Sequence, residues 1–450
     1  MVRLKNQKQG SLIVCVLKCC NKVFSVSFVL ILLTPTILSA GGIALDPDLL
    51  KRLQDTIIRQ QEELNRQAEQ IRQQSELLRT LQRQIEDMQR AQDTQKTHPS
   101  TVAIPTSPGV VTLGSDRHKI TLSGQINRAI NVISDGSGTD IYHVDNNASN
   151  SRLRIVGSAR IDDDLSLGTR IEFAVAPDLS SLVSQTNRVP GTWFDQRWTE
   201  LSIASKSFGK ISLGKGDTAS NTSAEMDLSK TDVVQYATLS DIAGGMFFRE
   251  KAYPNRLTSI KIGDVFNSRD GLSRQSRLRY DTPQFYGFNI SASVVSNQRY
   301  DLAVFYSGES DIFKTAGAFA VSDPNLPESG LQYDGSLSIL HKQTGLNITL
   351  SGGLLKRDNL KDAQNVYAKL GWLANLIGYG YTAFGVDYTY SGNLPFSNDR
   401  GYSISAAVVQ NLKKINSDMY LQYRIHSLNL KSAPPVSDIN VGTFGMRVRF

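Results

Sequence analysis

From His118 to the end of the chain, apolar and polar residues alternate in short segments. Successive side chains of a β-strand point to opposite faces, so such a segment has one apolar and one polar face. In the last segment the apolar positions are Phe444, Met446, Val448 and Phe450. We interpret it as the closing strand of a transmembrane β-barrel, whose lipid face is apolar and whose lumen is polar.

The same alternation recurs upstream, as in the segments 120–126, 152–161 and 165–173, the last two joined by a turn at Asp162–Asp164. At roughly twenty residues per strand and loop, residues 118–450 accommodate about sixteen strands. We expect tight turns at one end of the barrel and longer polar loops, such as 134–150, at the other. The predicted fold class is an all-β transmembrane barrel of about sixteen antiparallel strands with an N-terminal α-helical coiled coil.

The coiled coil is predicted from residues 46–92, where apolar residues recur every seven positions. These positions are Leu50, Ile57, Leu64, Ile71, Leu78 and Ile85. Because one helix cannot bury this stripe alone, the pattern indicates a homo-oligomer; a helix packed back on its own protein is the alternative. We place the stalk at 45–95, a linker rich in proline, serine and threonine at 96–117 and the barrel at 118–450.

Residues 1–44 have the pattern of a secretory signal peptide. Basic residues precede an apolar run from Val23 to Leu33, and small residues follow, so that cleavage after Ala40 or Ala44 fits. A membrane anchor is the alternative. All three cysteines lie in this segment, so we expect no disulfide in the mature protein.

The formal net charge of +7 changes meaning once this segment is removed. It contains five basic residues and no acidic residue, which leaves 44 basic and 42 acidic residues in the rest of the chain. The basic balance is therefore poor evidence for a nucleic-acid partner.

Enzymatic chemistry is not indicated by the residue patterns. The five histidines lack the spacing of metal ligands, and no GxSxG, HExxH or Walker motif occurs. We therefore expect no enzyme, no cofactor and no metal site.

Five segments together resemble the general Gram-negative porins. They are LSGQINRAI at 122–130, NSRLRIVGSARIDDDLSLGTRIEF at 150–173, FGKISLGKGDT at 208–218, SRLRYDTPQFYGFNISAS at 276–293 and GTFGMRVRF at 442–450. The coiled coil departs from ordinary porins and is similar to the N-terminal stalks of dicarboxylate-uptake and phosphate-selective porins.

The resemblance implies a homotrimeric outer-membrane channel for passive diffusion of small hydrophilic solutes, with the coiled coil in the periplasm. It also implies contacts with outer-membrane lipid, lipopolysaccharide and the barrel-assembly machinery, and leaves open a contact between the coiled coil and periplasmic envelope components. We expect a mild anion preference. The alternatives are a substrate-selective porin for dicarboxylates or phosphate, and a structural barrel that tethers the envelope.

The candidate pore-lining residues follow from alternation, except Lys215, which follows from the resemblance alone. They are Arg152, Arg154, Arg170, Lys215, Arg277 and Arg279. The resemblance also implies a third loop, roughly Asp217 to Met246, that folds inward. Its candidate constriction acids are Glu225, Asp227 and Asp232, and which of them reach the lumen is left open.

Three further expectations concern the ends of the barrel. Phe444, Met446, Val448 and Phe450 are the candidate assembly signal. Arg447 and Arg449 should face the lumen near the periplasmic mouth. Arg128 falls on the apolar face of the first strand, which indicates either a bulge or a subunit interface.

Overall fold

The computed structural model describes residues 110–450, together with eight exposed helical positions between Glu62 and Arg79. The signal segment, the heptad positions and most of the linker lie outside the described residues, so the predicted coiled coil stays a prediction. Residues 110–450 belong to one compact unit.

This unit is a closed antiparallel barrel. Its strands are β1 (Val111–Gly114), β2 (His118–Ser134), β3 (Thr139–Asp145), β4 (Arg152–Arg160), β5 (Leu165–Pro177), β6 (Thr192–Ser205), β7 (Gly209–Asp217), β8 (Phe247–Arg249), β9 (Leu257–Lys261), β10 (Arg274–Asp281), β11 (Phe288–Val295), β12 (Arg299–Glu309), β13 (Phe313–Asp323), β14 (Ser329–His341), β15 (Leu346–Arg357), β16 (Ala363–Ala374), β17 (Thr382–Gly392), β18 (Arg400–Leu412), β19 (Ser417–Asn429) and β20 (Ile439–Arg449). Short 3-10 segments lie at Asn147–Ser149, Leu239–Asp241 and Lys413–Ile415, and a four-residue helix at Ile262–Val265.

The barrel has sixteen strand positions, which confirms the barrel part of the predicted fold class. All strands except β8 and β9 belong to one sheet. β3 and β4 both pair with β2 and occupy one position, while β1 pairs with β2 beside the end of β20. The pairing of β2 with β20 closes the sheet, so that no edge is left unpaired along the seam.

Apolar side chains cover the outside of the barrel. Leu153 and Ile155 on β4 are 40% and 39% exposed, and Phe444 and Val448 on β20 are 50% and 40% exposed. Exposed apolar residues recur in this way on strand after strand, as expected of a surface that faces lipid. The polar residues between them point inward, because the side-chain period of a strand is two.

The segment between β2 and β4 corrects one expectation. Instead of a long loop over 134–150, the chain makes a tight turn at 135–138 and returns along β2 as β3. Residues 146–151 then leave the sheet, so the second strand position is interrupted between Asp145 and Arg152. Asn146 donates to the Tyr420 hydroxyl at 3.0 Å on the far side of the closing seam.

The connections between barrel strands are short at both ends, which also differs from the expected long outer loops. The one extended connection is 218–273, and the next longest is 178–191. The connection 218–273 is also longer than predicted, since it continues past Met246 through the β8–β9 hairpin and the helix Ile262–Val265. We call residues 218–273 the inward loop.

The inward loop forms a hydrophobic core inside the barrel. Val234, Met246 and Phe266 of the loop belong to one buried cluster with inward-facing residues of the wall, among them Ile133 and Val441. Apolar residues on the inner wall, which a water-filled lumen would leave exposed, are thus covered by the loop. Burial of this apolar surface stabilises the loop inside the barrel.

None of the described helices is long and apolar enough to cross a membrane.

Candidate functional site

A cavity of about 640 Å³ lies between the inward loop and the wall formed by β4, β6 and β10. Its charged lining residues are Arg152, Arg197, Arg269, Arg274, Asp195, Glu225, Asp241 and Asp270. We call it the charged cavity. Asp195 and the arginines at 152, 197 and 274 come from strands, while Arg269 and the other three acids come from the loop.

Four arginines converge on one carboxylate in the wall beside the charged cavity. The side chain of Glu172 on β5 is 0% exposed and lies 2.5 Å from Arg154, 2.8 Å from Arg170 and 2.8 Å from Arg197. The Arg152 guanidinium is 3.6 Å from the same carboxylate. One negative charge cannot neutralise four positive charges, so this wall carries an excess of positive charge.

A β-bulge in β6 directs both Arg197 and Trp198 into this wall. Glu172 pairs with Trp198 and Phe173 with Gln196, so Arg197 has no partner across the ladder and β6 changes its alternation there. The indole of Trp198 is 5% exposed, and three guanidinium groups lie against it: Arg170 at 3.6 Å, Arg274 at 4.7 Å and Arg197 at 5.5 Å from the ring centroid. The cation–π attraction of the indole ring stabilises these three guanidinium groups in neighbouring positions.

The loop side of the charged cavity carries carboxyl groups that bond to neutral donors. Asp241 accepts from Asn147 at 2.6 Å and from the Tyr236 hydroxyl. Glu225 accepts from the Thr238 hydroxyl at 2.5 Å. Among the described residues, the structure gives none of Glu225, Asp241 and Asp270 an ion pair with an arginine or lysine.

Burial and mutual repulsion change the ionisation of these loop acids. Burial raises the pKa of the Glu225 carboxyl well above its ordinary value, and repulsion from Asp270 raises it further. Burial, with repulsion from Asp334, raises the pKa of Asp270 to about 7, although its carboxylate accepts hydrogen bonds from the backbone N–H groups of Thr222 and Ala224. Burial also raises the pKa of Asp241. Near neutral pH this side therefore carries less negative charge than its three carboxyl groups would suggest.

The six basic residues predicted from the sequence occupy three places. Arg152, Arg154 and Arg170 are brought together on Glu172. Arg277 and Arg279 lie apart, at the base of the inward loop. The buried Arg277 donates to the Asp217 carbonyl at 2.8 Å and pairs with Glu200, and Arg279 donates to the Thr218 carbonyl at 2.7 Å.

Lys215 is not brought to the arginine cluster. It shares the alternation of Ile211 and Leu213, which are 52% and 59% exposed on the outer face. Its ammonium group reaches Asp195 at 3.0 Å, and Asp195 lines the charged cavity.

The three predicted loop acids also separate. Glu225 lines the charged cavity. Asp227 is buried against the wall in an ion pair with Lys369 of β16, and Asp232 is exposed. Only Glu225 of the three therefore lies at this site.

Sequence reasoning missed Arg197, Arg274, Asp270 and the shared partner Glu172. The signal for Arg197 was present in β6, where the apolar alternation shifts from even positions, at Phe194, to odd positions, at Leu201 and Ile203. Such a shift within one strand indicates a bulge. Asp270 was missed because the predicted loop ended at Met246.

The terminal strand closes the seam with its last residue. Phe450 donates its N–H to the Gly124 carbonyl at 3.0 Å and accepts from the Gly124 N–H at 2.6 Å. The Phe450 ring lies where a side chain at position 124 would begin, since a Cβ there would be 2.7 Å from the ring. Met446 is half-buried, while Phe444, Val448 and Phe450 are exposed outward.

The remaining three arginines singled out from the sequence have defined partners. Arg447 and Arg449 on β20 both pair with Asp418, at 2.7 and 2.8 Å. Arg128 keeps the outward alternation of β2 and donates to the Pro177 carbonyl at 2.6 Å. The register of β2 shows no shift at Arg128, so it does not mark a bulge.

No group of three or more potential metal ligands occurs within the residues that the structure describes.

Comparison with known proteins gives a family match and several similar folds. A family model described as Gram-negative porin matches residues 99–425. The anion-selective porin from Comamonas acidovorans superposes with a TM-score of 0.52 at 15% identity, covering 74% of this chain and 100% of that chain. Outer-membrane expressed OmpT of Vibrio cholerae has a TM-score of 0.50 at 13% identity, covering 75% of this chain and 100% of that chain. Salmonella typhi OmpF in complex with daunomycin has a TM-score of 0.50 at 13% identity, covering 76% of this chain and 100% of that chain. No curated protein sequence matches the chain.

Proposed function

The chain belongs to the Gram-negative porin family, and on this premise we propose that it is a homotrimeric channel that passes small hydrophilic solutes with a mild preference for anions. The family and the sixteen-stranded barrel support an outer-membrane channel rather than an enzyme. We assign the end of the barrel that holds Phe450 to the periplasm, where the predicted coiled coil would lie.

The observation that carries the anion preference is the convergence of four arginines on Glu172. Fixed charges along a pore attract ions of opposite sign and repel ions of like sign. The excess positive charge faces loop acids that are partly neutral near pH 7, since the pKa of Asp270 is about 7 and that of Glu225 is raised. The field in the narrow part of the channel therefore favours anions.

We expect Arg152→Glu to lower the ratio of anion to cation permeability by about twofold or more, because it reverses a charge that lines the charged cavity. The measurement is the reversal potential in a planar bilayer under a salt gradient. Lys342→Glu is the matched control, since Lys342 lies in a turn and pairs with Glu309 outside the cavity. Cation selectivity of the unmodified protein, or equal shifts for both variants, would contradict the proposal.

The inward loop favours the substrate-selective alternative over an unselective pore. A loop with its own buried core leaves less of the lumen open than a bare sixteen-stranded barrel would. The solute then has to pass close to the charged side chains, which makes discrimination by charge effective.

We also propose that the barrel-assembly machinery recognises the terminal strand. Removing Phe450 should strongly reduce the amount of protein at the cell surface, because the residue supplies two backbone hydrogen bonds and an aromatic ring to the seam. Surface labelling of whole cells measures this. Phe396→Ala, an exposed aromatic residue in a short loop, is the control and should leave surface levels unchanged. Normal surface levels of the protein without Phe450 would contradict the proposal that the terminal strand is the assembly signal.

A further inference from the structure

We propose that the outside of the barrel has a binding site for one phospholipid with a negatively charged headgroup. The site combines an apolar groove on the lipid-facing surface of β15–β18 with two lysines in the turn that follows β18. This turn lies at the end of the barrel that holds Phe450, since the Arg449 N–H donates to the Asn416 carbonyl at 3.1 Å. The site is outside the lumen and is independent of what the channel passes.

The groove is an apolar depression of about 340 Å³ in the outer surface, and we call it the outer groove. Its outward-facing side chains form two rows across neighbouring strands, Leu346–Trp372–Phe384 and Leu370–Val386–Ala406. The rings of Trp372 and Phe384 stack with their centroids 5.6 Å apart. An acyl chain lying in such a depression gains contact with many apolar atoms at once.

Trp372 places the outer groove near the edge of the bilayer. It lies close to the end of β16, and its indole N–H donates to the Thr344 carbonyl in a neighbouring turn at 3.1 Å. A tryptophan with an apolar body and a hydrogen-bonded N–H is typical of the interface between membrane and water. The headgroup of a lipid whose acyl chain lies in the groove is therefore expected at the level of the turns.

Two turns at this level lie side by side and expose apolar side chains. The Lys413 N–H donates to the Tyr379 carbonyl at 2.9 Å, which joins the turn 413–416 to the turn 375–381. Four apolar residues of these turns are between 53% and 60% exposed, namely Leu376, Ile377, Tyr379 and Ile415. Apolar side chains at the end of a lipid-facing surface insert at the boundary between headgroups and acyl chains.

The lysines of the turn 413–416 have no acidic partner. Lys413 and Lys414 are exposed, and the structure gives neither of them an ion pair with a described residue. Asp418, the next acid along the chain, is buried and pairs with Arg447 and Arg449. Among the turns at this end of the described barrel, only 413–416 has two basic residues and no acidic one. Lysines in this position attract anionic headgroups.

An anionic phospholipid matches the groove and the lysines in one molecule. Val408 pairs with Phe384 of the outer groove, and Lys413 follows it by five residues, or about 16 Å at about 3.3 Å per residue. One leaflet of a bilayer has about 15 Å of hydrocarbon, so a chain in the groove brings its phosphate to the lysines. A zwitterionic phospholipid would fill the groove but would bring its own ammonium group to the lysines.

Quenching of Trp372 fluorescence by brominated lipids tests the site on the full-length protein. The other two tryptophans, Trp193 and Trp198, lie at the charged cavity, away from the bilayer. In vesicles of phosphatidylcholine at low salt, we expect brominated phosphatidylglycerol to bind beside Trp372 about fivefold more tightly than brominated phosphatidylcholine. At about 1 M salt the difference should disappear. Equal binding of the two lipids at low salt would overturn the proposal.

Substitutions test the two parts of the site separately. Lys413→Gln and Lys414→Gln should each reduce the preference for phosphatidylglycerol about twofold or more, whereas Lys206→Gln, in an exposed turn at the same end, should not. Ala406→Phe fills the outer groove and should weaken quenching by both lipids, while Ala292→Phe, at an exposed position of β11, should leave it unchanged.

Two results would refute the site. One is an equal loss of preference in Lys206→Gln, which would show attraction to the whole end of the barrel. The other is undiminished quenching in Ala406→Phe, which would show that no acyl chain occupies the outer groove. Quenching requires no ion flow, so a protein that conducts ions but shows no lipid preference would lose this site and keep the proposed channel function.

Discussion

Replacing residues 233–266 with a Gly-Ser segment of about ten residues should increase single-channel conductance at least about threefold. The replaced residues contain the loop part of the internal core, including Val234, Met246 and Phe266. Without them the inner wall along β2, β18 and β20 loses most of the apolar side chains that pack on it, and the lumen becomes wider.

The design retains the anchors of the loop at both ends. At the first end Ser220 remains bonded to Asp301 and Asp227 remains paired with Lys369, and at the other end the Gly271 N–H remains bonded to Asp334. The inner wall would then expose Ile133 and Val441, so a companion variant that also carries Ile133→Ser and Val441→Ser tests whether apolar lumen surface limits ion flow.

A single substitution also tests whether the inward loop limits conductance, with less change to the chain. Phe266→Asp places a charge in the core beside His426, whose ring centroid is 4.9 Å from that of Phe266. A carboxylate buried in this apolar core should weaken the packing of the loop and raise conductance. Phe208→Asp, at a strongly exposed turn residue, is the control. Unchanged conductance in both loop variants, with correctly folded trimers, would show that ions do not pass beside the loop.

Glu172→Gln is the second variant for which we expect a large effect. It removes the carboxylate shared by Arg152, Arg154, Arg170 and Arg197 while keeping side-chain volume. Breaking a buried charge pair by removing one partner destabilises by about 3–5 kcal/mol. We expect a lower thermal unfolding midpoint and, in the protein that still folds, a stronger anion preference.

Two controls identify the cause of the loss. Glu309→Gln removes a carboxylate from the exposed ion pair with Lys342 and should change stability little. The double variant Glu172→Gln with Arg170→Gln removes one of the like charges and should recover part of the stability, by the logic of a double-mutant cycle. If the double variant is less stable than the single one, repulsion among the arginines is not what Glu172 relieves.

The sequence was sufficient for the barrel and for part of the site. Alternation in strands such as β4 depends only on the two-residue period, so it predicted that Arg152 and Arg154 face inward together. The closing strand could be predicted for the same reason. About sixteen strands followed from length alone.

The inward loop and the bulge could not be predicted in the same way. Apolar residues of the loop such as Val234 and Phe266 have no strand or helix period, because they pack against a wall assembled from distant strands. Alternation places Arg197 outward if β6 is regular, and only the added residue in the ladder turns it inward. Lys215 followed from the resemblance alone, and its ammonium group lies beside Asp195 of the charged cavity rather than beside Glu172.

The internal core also constrains the order of events when the barrel folds. It joins Ile133 and Tyr142 near the start of the barrel, Val234 in its middle and Ile439 near its end. These contacts span hundreds of residues, and such contacts form late because closing large loops is entropically unfavourable. The core therefore cannot be completed on a nascent or partly threaded sheet; it forms only when the first and last strands meet, so closure of the wall and docking of the loop belong to one cooperative event.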